Sequence, residues 1–374
     1  MTKALIALPA GAPLQALNTV FTTVPTVEPR LVIDGVGAIV EIPEDVVNAV
    51  AGLAGLAAVA TGALAALERL PVPPDALPWL QAWNKLFDPA FLNTLARRPA
   101  TWITTPLPQC SHQVTGSGVP PPPAQDMRLI GDIAVGIMTV DGPVGTTAQI
   151  TPSEVLSITL SIIQGFEILY RNAPKEVKLV FLVEPRRAAL RVDPSTVPPP
   201  TGASPAEIPF EEYEKREAIW RDAALRANGF PTGFAGINAL RAALLTRPWL
   251  DGTPTRSIVI LATKYNTAHF AYAANGRLVL QYPNSLAAVG IDNLDRVIAH
   301  ESCHLFNAPD EYGACVPQQV FGPFGVPNGN CIKANIPLFP HVPCLMGGES
   351  DDMCAWSKAH VGWNPLPFPL PPFI

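Results

Sequence analysis

Apolar residues crowd most sides of the stretch carrying Val155, Ile158, Leu160, Ile162, Ile163, Phe166 and Leu169, a density that predicts a helix buried in a core. It opens on Thr151-Pro152-Ser153-Glu154, a capping box with proline at the first helical position, and is expected to run to about Arg171. Short apolar runs bounded by turn residues predict strands at Leu31 to Gly35, Ala38 to Ile42, Ile130 to Val140, Val177 to Val183, Ala188 to Val192 and Ser257 to Thr263. Asn275-Gly276, between His269 to Tyr272 and Leu278 to Leu280, predicts a hairpin turn. Two further helices are expected, a charged amphipathic one from Glu211 to Asn228, closed by Gly229, and another near Ala235 to Leu245. The first of them follows the proline-rich loop Pro194 to Pro209, and the pair reads as an insertion or flap. Leu294, Val297, Ile298 and Leu305 mark a last amphipathic helix, with Asp292 and Asp295 at its cap and first turn.

The first third of the chain is patterned differently. Pro43-Glu44-Asp45 opens a helix, and Val46 to Leu67 carries no charge and is long enough to cross a bilayer. Alanine and glycine dominate that run and contribute little to insertion, so a buried or partner-docking helix is favoured over membrane contact. Trp79, Trp83, Leu86, Phe87 and Leu92 predict shorter helices covering it. Residues 1–118 thus read as a mainly helical N-terminal region serving as a pro-segment, a docking module for a protein partner, or an added structural layer. A proline-rich linker at 119–125, a main unit at 126–363 and a proline-rich tail at 364–374 complete the organisation. The expected fold class is α+β: a mixed twisted sheet, a backing helix, an active-site helix and a loop-rich C-terminal subdomain.

Composition narrows the function classes. Of 374 residues, 48% are hydrophobic and only 15% charged, which describes a folded chain rather than a disordered one. The net charge of −6 comes with no basic stripe to displace counterions from phosphates, so nucleic acid is not an expected partner. Four of the six cysteines, Cys315, Cys331, Cys344 and Cys354, cluster near the C-terminus. Disulfides among them are favoured over a structural zinc held by four thiolates, because short paired knuckles are missing. Disulfides need an oxidising compartment, yet the apolar run in MTKALIALPAGAPLQAL is short and broken by Pro9 and does not make a signal peptide. Export without a cleaved signal reconciles the two, with a cytoplasmic location as the alternative.

The candidate chemistry lies in His300-Glu301-Ser302-Cys303-His304. Histidines four apart on a helix project from one face, so both imidazoles can reach one metal ion, for which zinc is the usual occupant. Glu301 stands where a carboxylate can take a proton from metal-activated water without being a ligand. Asn307 tolerates the left-handed turn out of a helix, and Asp310 then supplies a third ligand, with Glu311 the competing carboxylate. Tyr312 and His360 are candidates for lining the pocket or stabilising a developing oxyanion, against plain packing roles.

The run HESCHLFNAPDEYG, followed by Pro343-Cys344-Leu345-Met346-Gly347-Gly348, resembles the zincin metallopeptidases, and within them the metzincin-like branch and bacterial families of the IgA-peptidase type. The resemblance covers about residues 130–363. It implies a zincin-like catalytic domain with one catalytic zinc ion, a Met-turn at Met346 beneath the metal, and a strand and hairpin before the metal helix that bind an extended polypeptide substrate. Asn307 in place of the usual glycine and the thiol of Cys303 depart from the pattern. The expected activity is zinc-dependent endopeptidase with Glu301 as general base. Its rivals are an inactive zincin used as a binding or structural module, and a zinc hydrolase of non-peptide amides.

Overall fold

The computed structural model describes residues 1–102, 128–200, 208–250, 252–282, 293–311, 326–334 and 341–363. The linker 119–125, the tail 364–374, Asp292, Tyr312 and Cys315 lie outside these residues. In chain order the elements are β1 (Thr2–Ala7), α1 (Ala16–Thr23), β2 (Glu28–Ile33), β3 (Gly37–Ile42), α2 (Val47–Ala51), β4 (Ala58–Ala60), α3 (Leu77–Lys85), α4 (Pro89–Arg97), β5 (Gly131–Asp141), α5 (Pro152–Asn172) and β6 (Leu179–Ala189). There follow α6 (Phe210–Ala227), α7 (Gly233–Thr246), β7 (Arg256–Thr263), β8 (Ala271–Ala274), β9 (Arg277–Gln281), α8 (Leu294–Leu305), α9 (Gly329–Ala334) and α10 (Ala355–His360).

The strands form one nine-stranded mixed sheet in the order β4-β1-β3-β2-β6-β5-β7-β9-β8, and the fold is of the α+β kind. From β2 to β9 neighbouring strands run parallel, while β1, β3 and β4 at one side and β8 at the other are antiparallel additions. Parallel strands are covered on both faces, which is why β7 is buried throughout. Its Ile258, Ile260 and Ala262 enter one core and its Val259 and Leu261 the other, as the two-residue strand period requires. The first core is completed by Trp83 of α3, Phe166 of α5 and Ile298 of α8, the second by Leu17 of α1, Trp220 of α6 and Leu240 of α7.

Three expectations are corrected here. The N-terminal region is not helical alone: beside α1 to α4 it gives four strands to the common sheet, joined to the rest where Leu31 to Ile33 of β2 pair with Phe181 to Val183 of β6. The uncharged Val46 to Leu67 run makes only a five-residue helix before Gly52, turns through Gly55 at φ +86°, and continues as the edge strand β4. Its small side chains bury little area per residue, so the glycines win. Among the described residues no helix is long and apolar enough to cross a membrane. Helix α6 is a core layer and not a flap, since Trp220, Ala224 and Leu225 are buried under the sheet.

The two strands expected at Val177 to Val183 and Ala188 to Val192 are one strand, β6, running through Pro185. Val183 accepts a hydrogen bond from Asp34 N on the β2 side (2.9 Å), and β2 pairs no further along β6. Pro185, two residues on, turns its missing N–H to that same side, where no strand asks for it.

Candidate metal centre

Helix α8 is set by its packing on α5. Gly165 of α5 makes the close approach, for a Cβ there would lie 2.9 Å from both Asp295 O and Ile298 Cγ2. Alanine in place of glycine inside a helix ordinarily adds about 1 kcal/mol of stability. Here Gly165→Ala is expected to lower stability by about 1–3 kcal/mol, because the methyl must push α8 outward. A denaturant midpoint above the parent's would show that the two helices have room to spare.

The N-terminal region also holds this helix. Arg98 Nη1 donates to both carboxylate oxygens of Asp295 (2.8 and 2.9 Å), Arg296 Nη1 donates to Pro99 O (2.7 Å), and Trp102 N donates to Gly348 O (2.9 Å). The Trp102 ring meets His300 edge-on at 5.9 Å between centroids. Burial raises the Asp295 carboxyl above its ordinary pKa although Arg98 opposes the shift.

The helix ends in a Schellman arrangement. Asn307 sits at φ +67°, its N–H donates to His304 O (2.9 Å), and Ala308 N donates to Cys303 O (3.1 Å). The turn brings Ala308 O back to His304 Nδ1 (2.6 Å) and delivers Asp310 to the two histidines. On the other side Leu345 O meets His300 Nδ1 (3.1 Å) from the buried turn Leu345–Gly347.

These two carbonyls decide the chemistry. A carbonyl can only accept, so each Nδ1 carries the proton and each Nε2 presents a lone pair. The lone pairs converge: His300 Nε2 and His304 Nε2 are 3.0 Å apart, and Asp310 Oδ1 is 3.1 Å from the first and 3.2 Å from the second. All three side chains are 5% exposed or less. Three acceptors that close repel one another unless a cation stands among them. A tetrahedral ion with bonds of about 2.0–2.1 Å spaces its ligands by about 3.3 Å, so the triangle has the right size for zinc or a similar first-row ion. A proton is the competing cation, and this accounts for His300: burial pushes its pKa down, but Asp310 and then Glu301 hold it above the ordinary value.

His300, His304 and Asp310 therefore form one group able to hold a metal. Glu301 lies beside it, buried, and acts on His300 through its charge. Glu311, the competing ligand, turns away to Cys344 and Cys354, and its backbone N–H donates to Met346 O (2.9 Å). Met346 is fully buried in the turn that backs His300. His360 bonds to Val326 O (3.1 Å) rather than to any of the three ligands, and burial lowers its pKa to about 4.

The cysteines divide. Cys331 is disulfide-bonded, whereas Cys344 and Cys354, expected in disulfides, are free buried thiols. Cys303 is a third buried thiol, pushed up by desolvation and so poorly suited to act as a nucleophile. The sequence carried no signal for Arg98, Trp102 or the carbonyls of Ala308 and Leu345, since each acts through its place in space. A comparison with protein-family models and with curated proteins finds no match to this chain.

Proposed function

We propose that the chain is a zinc-dependent endopeptidase of the zincin kind. The observation that carries the reading is the pair of backbone carbonyls that aim both Nε2 lone pairs, with Asp310, at one point. Support also comes from the Met346 turn beneath His300 and from the short antiparallel strand β8, which stands last in the sheet and pairs on its outer side with no further strand among the described residues. His300, His304 and Asp310 would hold the ion. Zinc bound there supplies a Lewis acid that polarises a scissile carbonyl and makes water acidic near neutral pH.

The remaining work falls to the protein. Glu301 is held on the same helix turn as His300, takes the proton from water at its carboxylate, and returns it to the departing amine. Burial of the group strengthens each of these electrostatic contacts. Trp102 against His300 keeps bulk water from one side of the ring. The disulfide at Cys331 supports an oxidising compartment for the protein.

The test is to incubate the zinc-loaded chain with an unstructured protein and follow fragments by mass spectrometry. Cleavage that chelation stops and added zinc restores is expected. An ion held at this site by the parent and missing in His304→Ala, with no cleavage of any unstructured substrate, would instead favour a binding role.

A further inference from the structure

Glu311 follows a ligand of the first site but belongs to a different cluster. Its carboxylate accepts from Ser357 Oγ (2.6 Å), from Asn330 Nδ2 (2.6 Å) and from Cys354 Sγ (3.1 and 3.2 Å to its two oxygens). None of these partners is a cation, and Glu311 is 1% exposed. One donor atom each from Glu311, Cys344 and Cys354 lies within 4.8 Å of the others. Ser357 Oγ is a fourth donor, 3.2 Å from Cys344 Sγ and 3.7 Å from Cys354 Sγ.

Two features separate this cluster from a chance meeting of side chains. Each sulfur accepts a backbone N–H, Cys344 from Cys354 N (3.2 Å) and Cys354 from Ser357 N (3.4 Å), an arrangement that stabilises negative charge on sulfur. The second is charge: a buried acid beside two thiols, with no positive partner among the described residues, must be neutralised by a proton or by a bound cation. The spacing suits such an ion. Zinc bonds of about 2.3 Å to sulfur and about 2.0–2.2 Å to oxygen set tetrahedral sulfur–oxygen separations of about 3.5 Å. Cys354 Sγ lies 3.1 and 3.2 Å from the Glu311 oxygens and 3.7 Å from Ser357 Oγ, and Cys344 Sγ lies 3.2 Å from Ser357 Oγ.

We infer that Glu311, Cys344 and Cys354, with Ser357 closing the fourth position, bind a second divalent ion of the zinc type. Two sulfur donors select zinc over magnesium or calcium. Four protein donors leave no open position, so the ion is structural. It ties together the segment carrying Asp310, the turn whose Leu345 O aims His300, and the start of α10. The inference stands apart from the peptidase reading, because the cluster shares no side chain with the His300 group.

The experiment counts zinc in the full chain purified with reductant, and records the spectrum after cobalt substitution. The parent is expected to hold two ions, and Cys344→Ser and Cys354→Ser one each. His304→Ala should also hold one and keep the thiolate-to-cobalt charge-transfer band, which is lost in Cys344→Ser. His304→Ala leaves the second cluster intact, so its reading stands even if the cysteine variants fold poorly. A His304→Ala protein with no bound metal and no thiolate band overturns the inference, and so does a Cys344–Cys354 disulfide that forms with zinc in excess.

Discussion

Glu301→Gln is expected to leave the metal count at the parent's value and to cut peptide cleavage by roughly 10²–10⁴-fold, the range a positioned general base supplies. The count should hold because Glu301 is outside the ligand group and glutamine keeps its shape. The rate should fall because an amide cannot take a proton from water at neutral pH. Two neighbours sharpen the comparison. His304→Ala removes a ligand and should lose the ion of the first site together with the activity, whereas Glu311→Gln leaves all three ligands of that site in place. Initial rates and metal content measured on the same samples separate these cases. Cleavage at the parental rate by Glu301→Gln would mean that another group is the base, and the assigned role of Glu301 would be withdrawn.

What could be read from the sequence was whatever is encoded locally. The Thr151–Glu154 capping box, the Asn275-Gly276 turn and the left-handed Asn307 are each fixed by a few adjacent residues, and each appears in the structure as expected. The same is true of His300 and His304, whose meeting needs only a helix. Failures came where tertiary pairing decides. Thr2 to Ala7 reads as a short apolar run with no role until β3 and β4 are placed on either side of it. Val46 to Leu67 has helical composition without the apolar bulk to hold a long helix in a core. The choice between Asp310 and Glu311 was undecidable from adjacency alone; in the structure Asp310 groups with the two histidines, while Cys354, Asn330 and Ser357 hold Glu311 in a separate cluster. The cysteine pattern misled for a related reason, since spacing along the chain does not say which thiols face a carboxylate and which face each other.

Glu217→Gln is expected to destabilise the fold by about 3–5 kcal/mol, the cost of stripping the counter-charge from buried cations. Glu217 of α6 is fully buried and accepts from Arg277 Nε (2.6 Å), Arg221 Nη1 (3.0 Å) and the Tyr272 hydroxyl (2.5 Å). Burial alone would raise its pKa, but Arg277 and Arg221 outweigh that and hold it at about 2. Glu214 still reaches Arg221 (2.7 Å) and Arg277 (3.4 Å), which places the loss toward the lower end of the range. The sign with pH follows from the depressed value. A carboxylate whose folded pKa lies below its unfolded one adds stability that is full above about 4.3 and drains away as pH falls toward 2. The parent's advantage over Glu217→Gln should therefore be largest at neutral pH and shrink between about pH 4 and pH 2, as read from denaturant midpoints at several pH values. An advantage that stays constant over that range would show that Glu217 acts through shape and not through charge. The network also fastens α6 to the β8–β9 hairpin through Tyr272 and Arg277, and that hairpin ends at the edge strand proposed to receive substrate. Loosening it should thus weaken substrate binding more than it slows chemistry, raising KM with little change in kcat, in contrast to Glu301→Gln.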